Sequence, residues 1–198
     1  PAAFRRYALD DVRETAAILP ILLNAFFAQS LILPLPLETV CLRGTAGKVE
    51  ALLLREYLRA RHSVPAPEPP RAFEGGYTDL FFEGLARDVH HCDVRSLYPS
   101  ILLREGRSPR NDPLGAFLQL LAHLRDFRIE AKRRAQDPAL APAAAGRWDA
   151  LQATFKILIN SFYGYLGFPQ ARFNDYELAA GVTEQGRDIL RGMVAQLR

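Results

Sequence analysis

Apolar residues recur at helical spacing through residues 7–28 (Leu9, Val12, Ala16, Leu19, Leu23 and Phe26), which predicts an amphipathic helix kinked or broken at Pro20. The same period over residues 48–61 predicts a second helix that buries Val49, Leu52, Leu53, Tyr57 and Leu58. Ser63 to Arg71 then holds four prolines in nine residues, the composition of a linker or extended crossing. Beyond Phe73 the pattern changes. Gly75-Gly76 precedes short apolar runs at 77–82 and 86–94, separated by Glu83-Gly84, which predicts a β-hairpin running into a strand that ends near Asp93. A short helix is expected over 99–104, and a longer one from Asp112-Pro113 to about Arg134, with Asp112 as its cap. After a loop at 137–146, a helix over 147–163 should end at Gly164 and Gly167. Asn174 or Asp175 should cap a last helix of about twenty residues. Strands beside helices make the expected fold class α/β, of the α+β type.

Composition narrows this picture only slightly. The chain of 198 residues has room for one or two cored domains, and its 49% hydrophobic and 24% charged residues suit a globular protein. Cys41 and Cys92 are too few for a disulfide framework, so a reducing, cytoplasmic setting is the default. No charged-then-apolar leader opens the chain, and the apolar stretch from Ala16 to Leu37 is interrupted by Pro20, Asn24, Gln29, Pro34 and Pro36, which argues against a membrane span. Charge is more informative by position than in total. Residues 104–147 carry nine basic side chains against five acidic ones, a larger surplus than the +3 of the whole chain. Only three basic residues are lysines: Lys48, Lys132 and Lys156. Gly44 to Lys48 has a phosphate-loop flavour with the wrong spacing, and three successive residues, His90, His91 and Cys92, cannot all turn to one ion from a strand.

Two strings carry candidate chemistry. Asp93-Val94-Arg95-Ser96-Leu97-Tyr98-Pro99-Ser100-Ile101 places a carboxylate at a strand end and fixes Tyr98 in front of a proline. Lys156-Ile157-Leu158-Ile159-Asn160-Ser161-Phe162-Tyr163-Gly164 sets Lys156, Asn160 and Tyr163 along one helical face, with Leu151, Phe155, Leu158 and Phe162 on another. Arg128 and Lys132 lie one turn apart on the preceding helix, so a hairpin of the two helices would let them face Lys156.

Both strings, in this order, resemble motifs A and B of the family B (alpha-type) DNA-directed DNA polymerases, Asp-x-x-Ser-Leu-Tyr-Pro-Ser-Ile and Lys-x-x-x-Asn-Ser-x-Tyr-Gly. Shorter similarities extend the resemblance over nearly the whole chain. Phe73-Glu74-Gly75-Gly76 is similar to the template-contacting Tyr-x-Gly-Gly segment, with phenylalanine for tyrosine. Val182 to Arg187 matches a Val-Thr-x-x-Gly-Arg segment, and Tyr7 with Asp11 fits the Tyr-x-x-x-Asp of the third exonuclease motif. The resemblance implies a helical exonuclease remnant at 1–62, a Pro-rich linker at 63–72, palm segments at 73–104 and 164–198, and a two-helix antiparallel fingers hairpin at 105–163.

It also implies roles. Asp93 and the Val94 carbonyl would serve a two-ion Mg²⁺ site, and the Ser96 and Leu97 backbone would cradle the triphosphate. Tyr98 would exclude a ribose 2′-hydroxyl. Arg128, Lys132, Lys156 and Asn160 would bind the phosphates of the incoming dNTP. Gly75, Gly76, Tyr163 and Gly164 would meet primer–template DNA. The family's Tyr-x-Asp-Thr-Asp motif does not occur in the sequence. The expected reading is therefore a fragment that needs further palm and thumb segments of the same polymerase and is inactive alone. A non-catalytic nucleic-acid-binding module on a polymerase scaffold is the alternative.

Overall fold

A computed structural model describes residues 2–94 and 96–197, with Ile21 described in its backbone alone. Its regular elements are seven helices: α1 (Ala2–Ser30), α2 (Leu37–Leu42), α3 (Thr45–Arg59), α4 (Leu97–Glu105), α5 (Ala116–Ala135), α6 (Pro142–Leu166) and α7 (Tyr176–Leu197). They form two compact units, one of residues 1–44 and 125–157, the other of residues 45–124 and 158–198.

In the first unit α1 continues through Pro20 rather than breaking there. The ring costs one helical hydrogen bond, and the turns on either side retain theirs. α1 packs on α2, with Ala28, Leu33 and Val40 buried. The Thr154 hydroxyl, fully buried on α6, donates to the Ala25 carbonyl at 3.3 Å. The last turns of α5 lie antiparallel to the start of α6. The Phe127 and Phe155 rings are 5.7 Å apart, and the Arg134 guanidinium sits 4.6 Å from the Trp148 ring centre.

The second unit holds all the largest fully buried side chains, among them Tyr57, Tyr165, Phe117, Phe162 and Phe173. Buried polar groups tie its elements together. Asp112 accepts hydrogen bonds from the Ala116 and Phe117 amides, so it caps α5 as expected, although the helix starts three residues later than Pro113 suggested. Its carboxylate also accepts the Tyr57 hydroxyl at 2.7 Å. The Tyr165 hydroxyl donates to Glu50 on α3. At the start of α7 the cap is Asp175, whose carboxylate accepts the Leu178 amide at 2.9 Å. Asn174 instead exchanges two hydrogen bonds with the backbone of Glu68, which pins the Pro-rich crossing.

The structure corrects the expected fold class. Among the described residues there is no strand, so the chain is all helical and not α/β. Residues 77–94 run as irregular chain in place of the predicted hairpin, with all but Tyr77 and Val94 exposed. A strand exists only through hydrogen bonds to a neighbour, and no described segment forms a ladder with this one. Apolar residues such as Leu80, Phe81, Phe82 and Leu85 therefore remain exposed. Smaller corrections follow from packing. Leu58 is 71% exposed rather than buried, and α6 runs from Pro142 through Gly164 to Leu166, longer at both ends than its predicted span.

Candidate functional site

The first string ends on α4, and the structure divides it sharply. Asp93 lies exposed near the end of the irregular segment and Val94 is half-buried. Arg95 lies outside the described residues. Ser96 then takes a left-handed conformation (φ 51°), unusual for a residue with a side chain, at the N-cap position of α4. Leu97 and Tyr98, both half-buried, form the first turn. There the helix offers backbone N–H groups that its own carbonyls do not use, a favourable place for an anion.

Tyr98 is brought against Tyr163 of the second string, with ring centroids 4.3 Å apart and planes inclined by 36°. Burial raises the Tyr163 phenol above its usual range, and the neighbouring Tyr98 adds to this, while a hydrogen bond with Thr183 acts in the opposite direction. The helix that carries Tyr98 also packs on α7. Along α7, Thr183, Gly186 and Arg187 share one face at spacings of three and four residues. The Thr183 hydroxyl donates to the Glu74 carbonyl at 2.9 Å, and Arg187 donates to the Gly75 carbonyl at 2.8 Å. Arg187 also pairs with the Glu74 carboxylate at 3.2 Å. Gly75 and Gly76 are thus fastened beside Tyr98. Thr183, Gly186 and Arg187 were not among the expected site residues. Their signal was the Val182–Arg187 string, whose three polar or small positions fall on one helical face.

The cations of the other group belong to the first unit. Arg128 is half-buried; Lys132 and Lys156 are exposed. Phe127 and Phe155, the two rings in contact, immediately precede Arg128 and Lys156, so those positions lie near each other in the helical hairpin. The neighbouring arginines are engaged differently. Arg133 and Arg134 both bind Glu130, at 2.8 and 2.7 Å, and Arg125 pairs with Asp126. Hydrogen bonds from Arg133 and then Arg134 hold the Glu130 carboxyl down at about 2. Among the described residues no carboxylate lies within ion-pairing distance of Lys132 or Lys156. On α6, Phe155, Leu158 and Phe162 are buried as expected and Asn160 and Gly164 are exposed. Tyr7 and Asp11 lie exposed, one turn apart on α1.

A divalent-metal site is not completed by these residues. Asp93 is one exposed carboxylate, and among the described residues no three His, Cys, Asp or Glu side chains gather where they could hold an ion.

Comparison with known proteins bears on the whole chain. Residues 111–197 match the family model described as DNA polymerase family B. Over 93% of its length the chain is 30% identical to a DNA polymerase of Archaeoglobus fulgidus, of which it covers 26%. It is 27% identical over 94% of its length to DNA polymerase 2 of Aeropyrum pernix, covering 27% of that protein. The structure of the family B DNA polymerase from Pyrobaculum calidifontis is similar with a TM-score of 0.76 and 26% identity, over 98% of this chain and 29% of that one. The chain thus spans between a quarter and a third of the length of these relatives.

Proposed function

Because this chain belongs to DNA polymerase family B, we propose that it supplies the nucleotide-handling part of a template-directed DNA polymerase, which joins a dNTP to a primer 3′-hydroxyl. The observation that carries this reading is the contact between Tyr98 and Tyr163, 4.3 Å apart. Two strings recognised separately in the sequence contribute the two rings of one surface. Tyr98 lies under the deoxyribose and occupies the space that a 2′-hydroxyl needs, while Tyr163 and Gly164 flank the nascent base pair. The backbone of Ser96 and Leu97 receives the triphosphate at the start of α4. Arg128, Lys132, Lys156 and Asn160 bind its phosphates from the helical hairpin, the fingers of the family. Gly75 and Gly76 approach the template, and residues 73–104 and 164–198 belong to the palm. Tyr7 and Asp11 are the remnant of the exonuclease helix.

The family's chemistry depends on divalent metal, Mg²⁺ by our reading, and Asp93 with the Val94 carbonyl is this chain's contribution to it. Primer–template DNA and dNTPs are the substrates, and the protein works at DNA in the cytoplasm. Among the described residues no helix is long and apolar enough to cross a membrane.

Primer extension by the full-length protein tests the reading. Asp93→Ala should reduce synthesis to background while leaving the melting temperature unchanged, because the exposed side chain supports no packing. Undiminished synthesis in that variant would remove Asp93 from its role, and a wild-type protein that binds DNA without extending primers would favour a non-catalytic module. The isolated 198-residue chain should not extend a primer, since among the described residues no three His, Cys, Asp or Glu side chains gather where they could hold an ion.

A further inference from the structure

Two glycines stand closer to Tyr98 than any other residue type could. A Cβ on Gly186 would come within 2.8 Å of Tyr98 Cε1 and 3.5 Å of Leu97 Cδ2. A Cβ on Gly76 would come within 2.5 Å of the Tyr98 hydroxyl oxygen, with Cζ next at 3.8 Å. Neither glycine is required by its backbone, because the left-handed glycines of the described chain are Gly84, Gly106 and Gly115. Space is what these positions supply. Gly192 of the same helix makes the contrast, since a Cβ there would meet nothing within 4 Å. Gly186 also sits inside α7, where glycine weakens a helix, and unlike Gly192 it has a packing contact that excludes a side chain.

With Tyr163 against its face, the Tyr98 ring is enclosed by Gly186 at an edge and Gly76 at its tip. α7 holds both glycine walls. Gly186 is part of the helix, and Gly76 follows the two carbonyls that Thr183 and Arg187 grip.

We infer that Gly76 and Gly186 are positioning residues that seat the Tyr98 ring and thereby set the sugar selectivity of the polymerase. The inference rests on the proposed function, in which Tyr98 is the group that meets the sugar. A methyl group at either position pushes the ring out of its seat, since an ordinary carbon–carbon contact needs about 3.5 Å or more. A displaced ring loses its contact with deoxyribose and vacates part of the 2′ space. Discrimination against ribonucleotides therefore falls.

The test is single-nucleotide insertion by the full-length polymerase, comparing the efficiencies for dNTP and rNTP on one template. Gly186→Ala and Gly76→Ala should each lower the dNTP-to-rNTP ratio about tenfold, a change of about 1.4 kcal/mol in relative barrier. Gly192→Ala should leave it unchanged. Tyr98→Phe removes the one atom that collides with a Cβ at position 76. In that background Gly76→Ala should have no further effect, whereas Gly186→Ala, which meets the ring carbon, should keep its effect. A general loss of structure would not follow this pattern. The inference is overturned if either glycine variant keeps the wild-type ratio, if Gly192→Ala shifts the ratio equally, or if Tyr98→Phe fails to relieve Gly76→Ala. In all three cases primer extension persists and the polymerase reading stands. Absence of primer extension by the wild type, or a ratio unmoved in Tyr98→Ala, overturns the underlying reading and this inference with it.

Discussion

The two compact units are stabilised by different means. The second unit, residues 45–124 and 158–198, joins its elements through buried polar groups: Tyr57 with Asp112, Tyr165 with Glu50, and Asn174 with the backbone of Glu68. In the first unit, residues 1–44 and 125–157, the buried Thr154 hydroxyl joins α6 to the Ala25 carbonyl of α1, and ion pairs such as those of Glu130 lie on the surface. Its α1 leaves Phe4, Tyr7, Val12 and Leu22 exposed. Interior polar groups need their partners, because an unmatched one keeps its desolvation cost. Exposed ion pairs are cheap to make and to lose. The difference suits what we assign to each unit. A sugar gate works only if its ring is held in one place, whereas phosphate-binding cations must stay available to solvent until a nucleotide arrives.

The largest effect that separates the units should come from Asp112→Ala. It removes the cap of α5 and leaves the buried Tyr57 hydroxyl without its acceptor, a combined cost of about 2–4 kcal/mol. Hydrogen exchange should quicken in α3 and in the first turns of α5 while α1 stays unchanged. A cost below about 1 kcal/mol, within the range of an ordinary surface substitution or a single exchanged hydrogen bond, would erase the proposed distinction.

A smaller effect is expected in the cationic unit. Lys156→Ala should weaken dNTP binding by about 1 kcal/mol, below the usual range for a charge-assisted contact because Lys156 is exposed to solvent, and binding should fall with added salt. Arg133→Ala should matter less, because Glu130 already holds Arg133. Chemical shifts during a nucleotide titration distinguish the two: changes at Arg133 and Arg134 with none at Lys156 would make the basic surplus merely a solvated face.

The smallest effect should belong to Glu130. Its carboxyl is lowered from 4.5 to about 2 by Arg133 and Arg134, so its stabilising contribution is complete above pH 4.5 and is lost as the pH falls toward 2. Glu130 is exposed enough that Glu130→Gln should change stability at neutral pH very little. The same substitution frees Arg133 and Arg134 and should slightly strengthen triphosphate binding. An NMR titration of the Glu130 carboxyl with a midpoint near 4.5 would show that the pairing does not persist in solution.

The sequence itself determined six of the helices, the caps at Asp112 and Asp175, and the two motif strings, but not the short α2. Those features are local: a 3.6-residue period, an Asp before a helical run, and the residues of a motif are all written in consecutive positions. Asp112 and Asp175 could be read as caps for that reason, and Lys156, Asn160 and Tyr163 could be put on one face. The hairpin predicted from the apolar runs at 77–82 and 86–94 was not decidable in this way, because such runs describe segments that suit a sheet, while the sheet itself requires a partner. Only the tertiary structure placed Tyr98 against Tyr163, and only it gave Gly76 and Gly186 a purpose. The two glycines are separated by more than a hundred positions, and their shared neighbour appears when α4 packs on α7. Absence of a side chain leaves no pattern in a sequence; it acquires physical meaning from what occupies the space.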